Sequence, residues 1–166
     1  MSARLKLRAE DEDDLRVIAA CLQDALIPLS DILYLDAEQR FVLVANRFRW
    51  ENCPDLPEAP PISAVGSQHD GFDCSTYERV NCGILFENVT AVRRRGFDQR
   101  DRGRILELLT MDIEAGEGGH MAVVMLFAGG AAIRLEGTGI KCRISDIGEP
   151  WPTQFRPNHP GDDASA

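Results

Sequence analysis

The chain is 166 residues long and 44% hydrophobic, which suits one domain with its own core. A chain of this size needs no metal ion or disulfide to fold. The 27 acidic residues outnumber the 18 basic ones, giving a net charge of −9. This balance excludes a protein that binds nucleic acid or anionic membrane with its whole surface, but it permits a local basic patch.

The N-terminal sequence "MSARLKLRAEDEDD" lacks the apolar core of a signal peptide, and no apolar run is long enough to span a bilayer. These features predict a cytoplasmic protein that makes no membrane contact. The cysteines are odd in number and show no C-x-x-C spacing. We therefore expect free thiols, no disulfide and no structural metal at Cys21, Cys53, Cys74, Cys82 and Cys142.

The first predicted elements are a short strand and the main helix. "RLKLRA" alternates as a strand does, and the acidic sequence after it predicts a helix over residues 11–26. Asp11 suits the N-cap, and Pro28 ends the helix. The apolar stripe of this helix consists of Leu15, Ile18, Ala19, Leu22 and Leu26.

Strand patterns follow the helix. Residues 30–50 predict two strands joined by a tight turn at Asp36 to Gln39. Residues 52–76 contain four prolines, and we expect them to form a mobile loop.

Four further segments have the length and composition of strands: "RVNCGILFENVTAVRRR", "GRILELLTMDIE", "HMAVVMLFA" and "AAIRLEG". Gly129 and Gly130 suit a hairpin between the last two. For residues 139–148, strand and helix both stay open. The polar tail, residues 158–166, is expected to be disordered.

This order of elements predicts a single α+β domain over residues 1–157. Consecutive strands without crossover helices pair antiparallel. We therefore expect a mainly antiparallel curved sheet or partly closed barrel of about seven strands, covered in part by one N-terminal helix.

An ordered set of short motifs resembles a known family. The motifs are "CLQDAL", "ANRFRWE", "ILFENVTAVRRRGFD", "LELLTMDIE", "LFAGGAAIRLEG" and "SDIGEPW". Their order is similar to that of the bacterial family called domain of unknown function 2948, over roughly residues 5 to 157. The resemblance implies a small intracellular domain and brings no catalytic residue, cofactor or substrate. The long proline-rich loop and "EGTGIKC" depart from the family pattern.

Two patterns of catalysis or phosphate binding have simpler explanations. Ser67, His69 and Asp70 stand almost side by side, whereas a hydrolytic triad is assembled from separate elements, so a polar loop is the better interpretation. "EAGEGGH" and "EGTGIKC" lack the strand-to-helix context and the lysine of a phosphate-binding loop, and turn glycines explain both.

A metal site is the third such pattern. His69, Asp73 and Cys74 could bind a metal together with Cys53 or Cys82. Structural zinc sites use closely spaced ligand pairs, and the sequence has none. We therefore predict no metal, no cofactor and no catalytic residue.

Two arginine-bearing stretches are the candidate binding sites, and each also has a structural interpretation: a solvated turn that guards a strand edge for residues 92–104, and a strand emerging from the core for residues 40–52. "VRRRGFDQRDRGR", residues 92–104, is the one basic concentration, and it includes Phe97 for stacking. In "RFVLVANRFRWEN" the strand phase suggests that Phe48 and Trp50 face the core and that Arg47 and Arg49 face outward. The candidate binding residues are Arg47, Arg49, Arg93, Arg94, Arg95 and Arg100.

Three functions compete. A non-enzymatic binding or adaptor domain would recognise an anionic partner, a protein or a ligand, through an arginine-bearing surface. A small enzyme or nucleotide sensor would need a pocket near Asp24, Asn46, Arg47 and Glu136. An RNA-associated protein would have to overcome the net negative charge. The first is favoured, and the sequence leaves the oligomeric state open.

Overall fold

The computed structural model of the protein describes residues 3–52 and 77–157. The tail 158–166 and all of the predicted loop except Asn52 lie outside the described residues. The described residues form one α-helix and eight strands, in the order β1 (Lys6–Ala9), α1 (Glu12–Leu22), β2 (Leu26–Pro28), β3 (Ile32–Leu35), β4 (Arg40–Phe48), β5 (Tyr77–Arg95), β6 (Ile105–Ala115), β7 (His120–Phe127) and β8 (Ala132–Thr153).

The strands form one curved antiparallel sheet with the order β1-β8-β5-β4-β2-β6-β7. Because β7 also pairs with β8, six of the strands make a ring of hydrogen bonds. Strand β1 is added outside the ring at β8, and β3 is added at β4. The predicted α+β class with an antiparallel sheet and one N-terminal helix is confirmed.

The helix is shorter than predicted. Asp11 caps it as expected, with its carboxylate accepting from the Asp14 amide at 2.8 Å, but the helix ends at Leu22 instead of residue 26. Asp24 takes a left-handed φ of 63°, and Leu26 begins β2. Leu22 and Leu26 fit both a helical stripe and a buried strand, so the sequence pattern could not separate the two.

The hairpin at Gly129 and Gly130 is confirmed. Both glycines have positive φ, 79° and 83°, in the short connection between β7 and β8. Residues 139–148, which the sequence left open, belong to the long strand β8. Their partner is the middle of β5, with Glu87 opposite Lys141.

The core lies on the inner face of the ring. α1 packs against β1, β4 and β6 and contributes Leu15, Ile18 and Leu22. Strand β4 buries alternate residues, among them Phe41 and Leu43, because successive side chains point to opposite faces. Both arginine-bearing stretches lie at the ends of this single core.

The two stretches lie at opposite ends of β5. Arg47 is opposite Val80 near the beginning of β5, whereas Arg94 and Arg95 end that strand. Fourteen residues of extended chain correspond to about 45 Å of strand. The two stretches are therefore separated by most of the length of β5.

Candidate functional site

The predicted outward orientation of Arg47 and Arg49 is wrong. Both are buried, with exposed fractions of 0% and 3%. Arg47 shares the inner face of β4 with Phe41, Leu43 and Ala45, so the alternation was correct but the buried face was misjudged. The deciding partner, Asp146, is 99 residues further along the chain, and no local signal points to it.

Arg47 is held by two carboxylates. Its Nε and Nη2 donate to the two oxygens of Asp146 at 2.8 Å each. Its Nη1 and Nη2 donate to Glu51 at 3.0 and 2.7 Å. Asp146 also accepts from the Leu5 amide at 2.8 Å. This cluster joins β4 to β8 and β1. The positive charge of the Arg47 guanidinium is already neutralised within it.

Arg49 and Trp50 are also engaged by the protein. Arg49 Nη1 donates to Glu78 Oε2 at 2.5 Å, and its Nη2 donates to the Ala3 carbonyl at 3.3 Å. Trp50 is half-buried, not a core residue, and its Nε1 donates to the Gln23 carbonyl at 3.1 Å. Neither arginine can bind an external anion unless an internal ion pair breaks.

Phe48 is buried as predicted, although it lies on the face opposite Arg47. Its ring centroid is 4.6 Å from that of Trp50 and 5.6 Å from that of Tyr77. The guanidinium of Arg79 lies 5.7 Å from the same ring centroid, a cation–π contact. Both faces of β4 are therefore covered at this end of the strand. Simple alternation predicts only one covered face.

The environment of Asp146 leads us to expect that acid destabilises the fold. Burial alone would raise the pKa of Asp146, but its hydrogen bonds with Arg47 and the Leu5 amide hold that pKa below the ordinary value. A depressed pKa in the folded state means that the stabilisation is present above the unfolded pKa of about 4 and is lost as the pH falls through the folded value. We expect urea midpoints to decrease below about pH 4, and less steeply in an Asp146→Asn variant. An equal decrease in both proteins would assign the acid sensitivity to other carboxylates.

The four residues proposed for an enzyme site do not line one described pocket together. Asn46 lies on the outer face of β4, where its Oδ1 accepts from Arg79 at 3.2 Å. Arg47 faces inward. Glu136 lies on β8 and pairs with Arg134 at 2.8 Å and with Arg93 at 3.3 Å. No described pocket is lined by these residues together with Asp24.

An open cleft of about 590 Å³ lies beside Glu136 and includes His120 and Arg134 in its lining. Arg134 donates to Glu136 at 2.8 Å and to Glu114 at 2.6 Å, so its charge is neutralised inside the protein. Thr138 Oγ1 lies 3.5 Å from His120 Nδ1. The cleft offers no convergent set of unpaired groups.

The second stretch, which we call the arginine turn (residues 93–104), crosses from β5 to β6. It is not a hairpin, because β5 pairs with β4 and β8 whereas β6 pairs with β2 and β7. The Leu29 amide donates to the Arg104 carbonyl at 2.9 Å, and Phe97 packs against the core. Gly96 is required at the crossing, since a Cβ there would lie 2.7 Å from the Gly130 carbonyl.

The arginines of the turn point in different directions. Arg94 is opposite Ile133, a fully buried residue, and therefore lies on the inner side of the sheet. Arg93 and Arg95 lie on the outer side, opposite Arg134 and Ala132. Burial lowers the pKa of Arg94, and no described carboxylate acts against that effect.

Most arginines of the described chain are in ion pairs, but most of those in the turn are not. Arg93 pairs with Glu136. Salt bridges to described carboxylates are absent for five neighbours: Arg94, Arg95, Arg100, Arg102 and Arg104. The turn also contains Asp98 and Asp101, so its arginines outnumber its own carboxylates and five of them make no described salt bridge.

The described residues contain free thiols but no cluster of metal ligands. Within residues 3–52 and 77–157, no three His, Cys, Asp or Glu side chains converge as a metal site would require. Cys21, Cys82 and Cys142 are free thiols, and burial raises the pKa of Cys82 to about 12, so this thiol is not reactive near neutral pH.

The remaining sequence candidates lie outside the described residues: Cys53, Ser67, His69, Asp70, Asp73 and Cys74. Among the described helices, none combines the length and the apolar character that a membrane crossing requires.

The fold and the arginine turn can be compared with known proteins. No curated protein and no solved structure matches the chain. A family model, described as Protein of unknown function (DUF2948), matches residues 5–159, nearly the whole chain. The ordered motifs indicated the same family. The chain belongs to the family Protein of unknown function (DUF2948).

Proposed function

We propose that this protein is a non-enzymatic binding domain that recognises an anionic partner through the arginine turn. The observation that supports the proposal is the group of five arginines, 94, 95, 100, 102 and 104, that make no salt bridge to a described carboxylate. Arginine presents a planar fork of donors that matches carboxylate and phosphate oxygens. Arg47 and Arg49 are left out of this surface because both are buried and paired with carboxylates of the protein.

Charge distribution favours a protein partner over bulk nucleic acid. The net charge of −9 repels an extended polyanion, whereas a local cluster of arginines attracts an acidic or phosphorylated site on a smaller surface. Phe97 lies within the turn but packs against the core, so it offers limited stacking for bases. We place the interaction in the cytoplasm, where free thiols such as Cys82 and Cys142 persist.

A pair of matched charge reversals tests the proposal. Arg95→Glu combined with Arg100→Glu should abolish capture of the partner from native lysate, because it reverses two exposed and unpaired charges of the turn. Arg8→Glu combined with Arg143→Glu makes the same change in net charge on exposed arginines of β1 and β8 and should retain the partner. Bound protein, RNA and small molecules are identified together, and circular dichroism checks that both variants fold.

Capture that is equal for the two double variants would contradict a role for the turn. If the partner of the unmodified protein disappears after ribonuclease treatment, the protein is RNA-associated. A turnover reaction on a captured small molecule would instead support the enzyme alternative.

A further inference from the structure

A small pocket lies where the arginine turn meets the core. Two arginines and an amide line it together with an apolar floor: Arg94, Arg102, Gln99, Leu29, Ile32 and Phe97. Leu29 is 6% exposed, and Phe97 and Ile32 pack against the core. The floor is therefore fixed by the fold, while the polar groups come from the end of β5 and from the turn.

Neither arginine of this pocket makes a described salt bridge. No carboxylate is among the described residues that line it. Asp98, the nearest acidic residue along the chain to Gln99, accepts a hydrogen bond from the Arg100 amide at 2.9 Å. The contrast with Arg47 is direct, because that buried arginine has two carboxylates while the partly buried Arg94 has none described.

The size of the pocket limits what can enter it. Its volume is about 90 Å³. Pockets that enclose a whole small molecule usually measure roughly 300–1,000 Å³. This pocket has room for one terminal group of a larger molecule or for a small free anion.

We propose that the pocket binds a phosphate monoester group, with Arg94 and Arg102 pairing with its oxygens and Gln99 donating an amide hydrogen bond. This inference rests on the proposed function and names the group that the surface recognises. A phosphate monoester carries a charge of about −1.5 to −2 near neutral pH, which matches two guanidinium groups, whereas a carboxylate carries −1. A phosphate diester also carries a charge of −1. It bears two organic substituents, so it fits poorly in a pocket that has room for one terminal group.

A terminal phosphate of this charge can be carried by a phosphorylated side chain, as a monoester, or be free inorganic phosphate. Titration of the ¹⁵N-labelled full chain at about pH 7.5, at constant ionic strength set with sodium chloride, separates these sources. The probes are inorganic phosphate, N-acetyl-phosphoserine amide, its unphosphorylated form and dimethyl phosphate. We expect saturable shifts of the backbone amides of residues 97–102 with the first two probes and none with the others. Tighter binding of the phosphoserine compound would identify a phosphorylated side chain as the source.

Adjacent arginines provide the matched control. Arg94→Met keeps the aliphatic stem but removes the charge, and it should weaken phosphate binding at least about tenfold, as the loss of a charge-assisted hydrogen bond does. Arg95→Met makes the same change one residue further along, on the opposite face of β5. Because Arg95 is an exposed charge outside the pocket, this variant should change the dissociation constant no more than about twofold. Arg102→Met, at an exposed position, repeats the test in case Arg94→Met does not fold.

Three results would overturn the inference. These are no saturable shift with either inorganic phosphate or N-acetyl-phosphoserine amide, an equal effect of Arg94→Met and Arg95→Met, or equal shifts with dimethyl phosphate. If phosphate fails to bind while the Arg95 and Arg100 charge reversal still abolishes capture, the pocket assignment fails and the proposed function stands. If capture is also unaffected, both fail.

Discussion

Replacing Arg47 by Gln is expected to lower the free energy of unfolding by about 3–5 kcal/mol, as removal of one partner from a buried ion pair does. The change leaves Asp146, whose side chain is 2% exposed, without the guanidinium that binds both of its oxygens. Glu51 loses the same partner but is 39% exposed and can be solvated. An outward-facing arginine at this position would change stability by no more than about 1 kcal/mol. Urea unfolding monitored by circular dichroism measures the difference.

Arg40→Gln is the matched control for this prediction. Arg40 lies on the same strand but is 47% exposed, and its contacts with Glu38 and Glu87 are surface ion pairs. Its replacement should change stability by about 1 kcal/mol or less. The double variant Arg47→Gln with Asp146→Asn should be more stable than Arg47→Gln alone, because no buried charge is left without a partner. A double variant that is less stable than the single one would refute this explanation.

The second large effect is expected at Gly137, where replacement by Ala should destabilise the protein by about 3 kcal/mol, the upper end of the usual cost of overpacking. A Cβ at this position would lie 1.9 Å from the Asn88 carbonyl oxygen on the neighbouring strand β5. Asn88 cannot easily move, since it has a left-handed φ of 66° and its Nδ2 donates to the Gly139 carbonyl at 2.9 Å. The two longest strands would have to separate near Val89, where their register shifts. Thermal and urea unfolding measure the loss.

Gly103→Ala is the corresponding control. The nearest atom to a Cβ at Gly103 is Asp101 Oδ1, at 3.8 Å, an ordinary contact. We expect a change within about 0.5 kcal/mol in either direction. Similar destabilisation at both glycines would show that the close approach to Asn88 is not the cause.

The elements that were predicted correctly depend on local chemistry. The Asp11 cap, the turn near Gln39, and the hairpin at Gly129 and Gly130 follow from short-range hydrogen bonding and from the positive φ that these residues tolerate. Where local chemistry fits two structures, the prediction failed, as at Leu26. That residue continues the helical stripe in sequence but pairs with β4 and β6 as a strand.

The same holds for the candidate site: what depended on a local pattern was predicted from the sequence, and what depended on tertiary contacts was not. The sequence identified the basic stretch 92–104, and Arg94, Arg95 and Arg100 do lie there without a described carboxylate partner. It also selected Arg47 and Arg49, because their alternation with aromatic residues suggested an exposed face. Residues 92–104 are the more basic stretch in sequence, but the structure separates the two sets by their partners: Arg47 and Arg49 pair with Glu51 nearby and with Asp146 and Glu78 on other strands.

The sequence by itself determined the α+β class, the antiparallel sheet, the family and the existence of a basic stretch, since each depends on periodicity, turn chemistry or motif order along the chain. Only the tertiary structure decided that Arg47 is neutralised by Asp146 while Arg94 remains without a described partner. Whether an arginine is a structural ion-pair partner or an available binding group depends on which carboxylates the fold brings near it. Residues that meet across the ring are far apart in sequence, so no local pattern records those contacts.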